Sequence, residues 1–289
     1  MRIAFIGAGR LAQTLARAFF QAGFDVVAVS SRSLTSAQTI AKQINCQVFS
    51  SAQDAVDAAQ LVFITVPDDT IPVVAQQIAW RQDHCVVHCS GATEVLALSS
   101  ASACGAEIGG FHPLQLFADP AVALNHMVGS SVAIEASGRL DTELRRLAKG
   151  VGYRVIELPP GVRGIYHAAT NYAASFVLSL LGEACDLWRS FGINEENALA
   201  ALLPLTRGTV EAAVAAGLPG ALAGPFSRGD AKVVAIHLQN LSAIGDVHVQ
   251  LYRNLSMRQL ALARRRGNLS DEVLAQLTAA INPNTKTSM

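Results

Sequence analysis

Charge is scarce in this sequence. Only 15% of the 289 residues are Asp, Glu, Lys or Arg, and the 22 basic side chains cancel the 22 acidic ones. There is no basic field for a phosphate backbone and no acidic tail, so no nucleic-acid partner is expected. Paired cysteines are also lacking. The five present, Cys46, Cys85, Cys89, Cys104 and Cys185, are odd in number and form no CxxC pair, which suits a reducing cytoplasm. Cys85-Val86-Val87-His88-Cys89 comes nearest to a metal pattern. On a strand, however, Cys85 and Cys89 point to one side and His88 to the other, whereas zinc needs convergent ligands. These are read as small core residues, and no metal is expected.

An uninterrupted membrane-length apolar run is missing as well. The nearest, Gly164–Gly182, carries no formal charge but includes His167, Thr170, Asn171, Tyr172 and Ser175. It reads as a buried helix rather than a lipid-facing one, and no membrane is expected. The chain starts directly on a strand, which leaves no room for a signal peptide and points to a cytoplasmic protein. The hydrophobic share, 51%, is high and implies deep burial or a buried subunit interface.

What is present is concentrated at the start. The apolar run Met1–Ile6 leads into Gly7-Ala8-Gly9-Arg10-Leu11-Ala12, then a helical segment Ala12–Ala22, then a second apolar run Val26–Val29. Strand, glycine turn, helix and strand in this order form the dinucleotide-binding fingerprint. Gly7 permits the tight turn, Gly9 lets the backbone approach a pyrophosphate, and Ala12 is the small residue where helix and strand pack. The free N–H groups of the turn and first helical residues, Ala8 to Leu11, then face the phosphates. An NAD site would place Asp or Glu about 20 residues past the glycines. Here Ser31-Arg32-Ser33 ends the second strand, and Asp25 sits at its other end. A guanidinium flanked by hydroxyls suits a 2′-phosphate, so the expected cofactor is NADP.

The alternation continues. Val48-Phe49, Leu61–Val66, Cys85–His88, Glu107–Phe111, Ser131–Glu135 and Arg154–Leu158 read as strands. Ala52–Ala59, Thr70–Ala79 and Leu140–Lys149 read as helices. The pattern predicts an α/β Rossmann domain with a doubly wound, mainly parallel sheet. Pro159-Pro160-Gly161 breaks it. Beyond that point helices are expected at Ile165–Phe191, Glu195–Ala215, Lys232–Leu241, Val247–Arg266 and Asp271–Ile281, with a frayed tail at Asn282–Lys286. The expected domains are therefore residues 1–159, binding NADP, and 160–289, all-helical, for substrate and dimerisation. So apolar a set of helices implies a homodimer.

Ligands of open α/β sheets bind beyond the carboxyl ends of the strands. Val66-Pro67-Asp68 follows the fourth strand, and His88-Cys89-Ser90-Gly91 the fifth. Gly109-Gly110-Phe111-His112-Pro113-Leu114-Gln115 follows the sixth. Val66, Pro67, Asp68, Ser90 and Gly91 are expected to border the nicotinamide half of the cofactor, with His112 nearby and Ser90 also open to substrate. His167 and Asn171, spaced i, i+4, share a helical face. An imidazole there titrates near working pH and can act as an acid. Gly224-Pro225-Phe226-Ser227-Arg228-Gly229-Asp230 is a rigid turn opening a helix. Asp230 can cap that helix, and Arg228 can clamp a substrate carboxylate.

These motifs, with Tyr166-His167-Ala168-Ala169 and Asn171-Tyr172, resemble the Rossmann-like oxidoreductases whose helical C-terminal domain is domain of unknown function 2520 (DUF2520). More distantly the chain is similar to pyrroline-5-carboxylate reductase, ketopantoate reductase, prephenate dehydrogenase and the 6-phosphogluconate/hydroxyisobutyrate dehydrogenases. In the hydroxyisobutyrate type a helix lysine donates the proton and an asparagine lies four residues on. His167 stands at the lysine's place and Asn171 at the asparagine's. His112-Pro113 is similar to the His-Pro pair of prephenate dehydrogenase. The resemblance implies an NADP-dependent oxidoreductase moving hydride between NADPH and a small carboxylate-bearing keto or imine substrate, with His167, Asn171 and His112 as catalytic residues. Two alternatives stay open: an NADP-binding sensor without catalysis, favoured by the missing lysine, and an F420-type NADP oxidoreductase.

Overall fold

The computed structural model describes residues 1–282, so most of the expected frayed tail, from 283 onward, lies outside the described residues. In chain order the elements are β1 (Ile3–Ile6), α1 (Arg10–Gln21), β2 (Val26–Ser30), α2 (Leu34–Ile44), β3 (Gln47–Phe49), α3 (Ala52–Asp57) and β4 (Leu61–Ile64). There follow α4 (Ile71–Gln76), β5 (Cys85–His88), α5 (Ser99–Ala103), β6 (Glu107–Leu114), α6 (Pro120–Asn125), β7 (Ser131–Glu135), α7 (Gly138–Gly150), β8 (Arg154–Glu157) and α8 (Arg163–Ala173). The remainder is helical: α9 (Ser175–Arg189), α10 (Glu195–Ala221), α11 (Pro225–Arg228), α12 (Ala231–Ile244), α13 (Asp246–Arg266) and α14 (Asp271–Ile281). The chain divides into two compact units, Met1–Ala173 and Ala174–Met289.

The first unit holds one eight-stranded sheet in the order β3-β2-β1-β4-β5-β6-β7-β8. All neighbours are parallel except β6 and β7. This is the mainly parallel, doubly wound sheet that alternating strands and helices require. Helices on both faces bury the strands twice, and the side chains sort by parity. Ile3 and Phe5 enter one core, Ala4 and Ile6 the other. On the first face Phe63 is the centre of an aromatic cluster, its ring centroid 5.2 Å from Phe5, 5.4 Å from Phe19 of α1 and 5.7 Å from Phe111. Cys85 and Cys89 share that core, and no metal-binding group occurs among the described residues.

Three features depart from the sequence reading. First, β6 runs on to Leu114, so His112 lies inside a strand and not after one. Its parallel neighbour β5 ends opposite Gly110, but antiparallel β7 pairs onward, with His112 opposite Ala133 and Leu114 opposite Ser131. The strand therefore projects past the carboxyl edge of β5. Second, the expected helix Ile165–Phe191 is two helices, broken at Ala174 (φ −121°, ψ −84°). No glycine or proline marks the break. Third, Gly164–Gly182 is not a buried helix: Ile165 is 74% exposed and Leu178 70%. The expected end of α10 at Ala215 anticipates a real kink, because Gly217 adopts φ 68° and the helix resumes to Ala221.

In the second unit α11 to α14 enclose a small core of Phe226, Val234, Leu238, Val249, Leu260, Leu277 and Ile281. Helices α9 and α10 pack on each other yet expose Leu178, Leu205, Val210, Val214 and Leu218. Among the described residues α10 is the one helix long and apolar enough to cross a membrane by length and composition, with mean hydropathy 1.3.

Candidate functional site

The glycine turn does what its residue types predict. Gly7 has φ +107°, and a Cβ on it would lie 2.5 Å from the Thr65 carbonyl oxygen, so only glycine fits. Gly9 has nothing within 4 Å of a Cβ position, which leaves its backbone open to a ligand. It is the N-cap of α1, with no side-chain cap and no acidic residue in the first turn. The N–H groups of Arg10, Leu11 and Ala12 therefore present an uncompensated positive helix end. Gly7, Ala8, Gly9, Ser31, Arg32, Val66 and Pro67 line one cleft of about 680 Å³. The open glycine backbone, the bare helix end and the exposed Arg32 fit a phosphorylated dinucleotide. No acidic side chain stands at the end of β2, since Asp25 precedes the strand. Arg10 turns its guanidinium to the Ala118 carbonyl, 2.9 Å away. Ser33 caps α2, its hydroxyl accepting from Ser36 N–H, and Ser31 Oγ accepts from Ser33 N–H. Sequence reasoning missed Ser50, Ser51 and Thr70, which line the same cleft. Ser50-Ser51 directly after β3 was the available signal.

A second cluster forms at the carboxyl ends of β5 and β6. Gly91 is buried between two imidazoles: a Cβ there would lie 2.5 Å from His167 Cδ2 and 2.8 Å from His112 Nε2 and Cε1. The His112 and His167 rings meet edge to face at 5.9 Å. His112 Nδ1 is 2.8 Å from the Tyr166 hydroxyl. Asn171, one turn beyond His167, is exposed and is not drawn into the cluster.

Ser90 differs from expectation. Its hydroxyl donates to Asp68 (2.7 Å) and accepts from Ala92 N–H (3.2 Å) and Thr93 N–H (2.9 Å). One donor and two lone pairs are then all engaged, leaving no capacity for substrate. Ser90 instead ties the turn after β5 to the segment after β4.

The anchor of the cluster was not legible in the sequence. Arg163, at the start of α8, has no exposed surface. Its Nε donates to Glu135 (2.6 Å) and its Nη1 to the Ser90 carbonyl (2.8 Å). The Glu94 carboxylate accepts from Gly161 N–H (3.2 Å) and Arg163 N–H (3.1 Å), closing the helix start. A Cβ on Gly110 would overlap Arg163 Nη2, so glycine at that point of β6 makes room for the guanidinium. Arg163 Nη2 is buried without a partner among the described residues, and the His88 ring is buried beside the Glu94 backbone.

Arg228 lies in the second unit. It is exposed and paired with Asp230 (2.9 Å). The Asp230 side chain makes no helix cap, contrary to expectation, and its Oδ2 is turned to Arg228 Nε.

The comparisons with known proteins agree with this architecture. Residues 2–91 match the family described as NADP oxidoreductase, coenzyme F420-dependent, and residues 130–259 match domain of unknown function DUF2520. Two family models thus match separate stretches of the chain, one within the glycine-turn region and one spanning β7 to α13. Among solved structures it is similar in fold to protein TM1727 from Thermotoga maritima (20% identity, 92% of this chain and 100% of that one, TM-score 0.76). It is likewise similar to 1-pyrroline-5-carboxylate reductase from Streptococcus pyogenes (16%, 93% and 99%, 0.62). A third is a reductive aminase from Aspergillus terreus solved with NADPH and ethyl-5-oxohexanoate (16%, 98% and 92%, 0.64). No curated protein matches the sequence.

Burial pushes His88 down to about 4, helped by the Arg163 charge. Burial, His167 and Arg163 push His112 down to about 4 against a small opposing pull from Asp68. Both imidazoles are neutral when folded and gain protons more readily when unfolded. Between the ordinary histidine value of 6.5 and about 4 the unfolded chain therefore binds more protons, and stability must fall as pH falls through that window. The melting temperature should be flat just above pH 6.5 and drop below it. His88→Asn should flatten part of that drop, and an unchanged profile in this variant would contradict the account.

Proposed function

We propose that the protein is an NADP-dependent reductase that moves hydride between NADPH and a small carboxylate-bearing keto or imine substrate. The observation that carries this reading is the convergence of His112 and His167 on Gly91, in the unit that also holds the glycine cleft. When bound, the nicotinamide supplies or takes the hydride; position and a proton must come from the chain. His167 is assigned as the proton donor to the substrate heteroatom, since charge arriving there needs an acid within hydrogen-bond reach. His112 lines the same place from the sheet side. Asn171, one turn beyond His167 on α8, is assigned to hold the substrate on the chemistry of its side chain. The reductase names among proteins of this fold support the reaction class. A second reading, exchange between NADP and an F420-type deazaflavin, draws on the family description of residues 2–91.

The deciding experiment is a screen of small keto acids and cyclic imines, following NADPH absorbance, with the deazaflavin titrated in parallel. For the substrate found, His167→Ala should lower kcat by about 10²–10⁴-fold, the usual effect of losing a proton donor, while NADPH affinity stays near the parent value. Parental turnover in that variant would refute the assignment.

Arg32, with Ser31 and the capped start of α2 behind it, is assigned to the 2′-phosphate. Arg32→Asp should weaken NADP binding by about 1.5–3 kcal/mol, as expected for a hydrogen bond to a charged group, and move preference toward NAD. Equal affinity of the parent protein for both cofactors would overturn this.

We also propose that a second copy covers α9 and α10, in a cytoplasmic homodimer. The exposed leucines and valines on both helices support it. Arg207 and Glu211, mid-helix in α10 beside Pro204, argue against lipid as the cover. Light scattering at micromolar concentration should give twice the chain mass. Leu205→Lys with Val214→Lys should give one, and a monomeric parent would refute the dimer.

A further inference from the structure

Tyr166 has no part in the reading above, yet it holds the only hydrogen bond to the His112 ring among the described residues. The two rings stand perpendicular (90°), their centroids 5.6 Å apart. The bond can run either way, and the chemistry of the pair decides it. Burial raises the Tyr166 hydroxyl to about 12, so it keeps its proton. The His112 ring is neutral and carries one N–H. A phenol is a good donor and a poor acceptor, whereas an unprotonated imidazole nitrogen is a strong acceptor. The phenol therefore donates to Nδ1, and the imidazole proton must sit on Nε2. Nε2 is the atom that borders Gly91, 2.8 Å from its Cβ position, on the side where His167 Cδ2 also approaches.

We propose that Tyr166 is a positioning residue: its hydroxyl donates to His112 Nδ1 and thereby directs the ring proton to Nε2, where neutral His112 offers one hydrogen-bond donor to the carbonyl or imine group of a small substrate. The substrate in this statement rests on the reductase reading, but the tautomer does not. The groups facing the His112 ring are Tyr166 and His167 from α8, the Arg163 guanidinium, Asp68 from the segment after β4, and His88 on β5. Among the described residues only Tyr166 is hydrogen-bonded to Nδ1.

The test is long-range proton–nitrogen NMR on the full chain labelled with 15N, with the His112 ring assigned by its loss in His112→Asn. At neutral pH the parent should show Nδ1 unprotonated and shifted by hydrogen bonding, and Nε2 protonated. Tyr166→Phe should return Nδ1 to the position of a free ring nitrogen. It should also raise the His112 titration midpoint, because the lost bond stabilised the neutral ring. Were the bond reversed, with Nδ1–H donating to the phenol oxygen, the same variant would lower the midpoint. A protonated Nδ1 in the parent, an unmoved Nδ1 in Tyr166→Phe, or a lowered midpoint each overturns the proposal. Circular dichroism and NADPH affinity report whether Tyr166→Phe is folded. His112→Leu, which has no acceptor, supplies a second variant read at the Tyr166 hydroxyl proton: loss of the hydrogen-bonded hydroxyl signal is expected, and its persistence contradicts the pairing. If the tautomer is as stated and no carbonyl or imine is reduced, the reductase reading fails and this one stands.

Discussion

The buried guanidinium of Arg163 is the constraint on which the candidate site depends. A desolvated cation is costly unless its hydrogen-bonding capacity is met. Here Glu135 on β7 takes the Nε–H and the Ser90 carbonyl after β5 an Nη1–H, Nη2 has no partner among the described residues, and Glu94 closes the N–H groups at the start of α8. Three distant segments are thereby joined at one point. Helix α8 starts there, and its first five residues carry Tyr166 and His167 against His112 and Gly91. Two glycines make the approach possible. A side chain at Gly110 would occupy the space of the guanidinium, and one at Gly91 would occupy the space between the imidazoles.

The same charge shapes the chemistry of its neighbours. Burial alone favours neutral imidazoles, and a fixed cation nearby adds to that preference for His88 and His112. A neutral imidazole is one donor and one acceptor, so its orientation matters in a way that an imidazolium's does not. Ser90 illustrates a related point. A hydroxyl at a strand end, in a sequence position suited to ligand contact, is fully consumed in holding Asp68 and two backbone N–H groups. Its contribution is to the shape of the turn.

How much was legible varies with the range of the interaction. The sheet, its parallel sense, the glycine turn and the Arg32 end of β2 were readable, because each depends on period-two patterning, glycine spacing and residues adjacent in the chain. The extension of β6 past Phe111 was not, since it depends on antiparallel pairing with β7, a partner some twenty residues on. The break at Ala174 had no local residue to announce it. Exposure of α9 and α10 contradicted an apolar composition that, within one chain, reads as burial.

The sequence by itself determined the fold class, the glycine turn that opens the first cleft, and the presence of two histidines and a tyrosine suited to polar chemistry. Tertiary structure alone decided which of them meet. His112 and His167 are separated by more than fifty residues, and neither their spacing nor their helical or strand phase encodes a contact between elements. That contact exists because a buried cation must find a carboxylate and a carbonyl, and the sheet offers both at one place, where β5 stops and β6 continues.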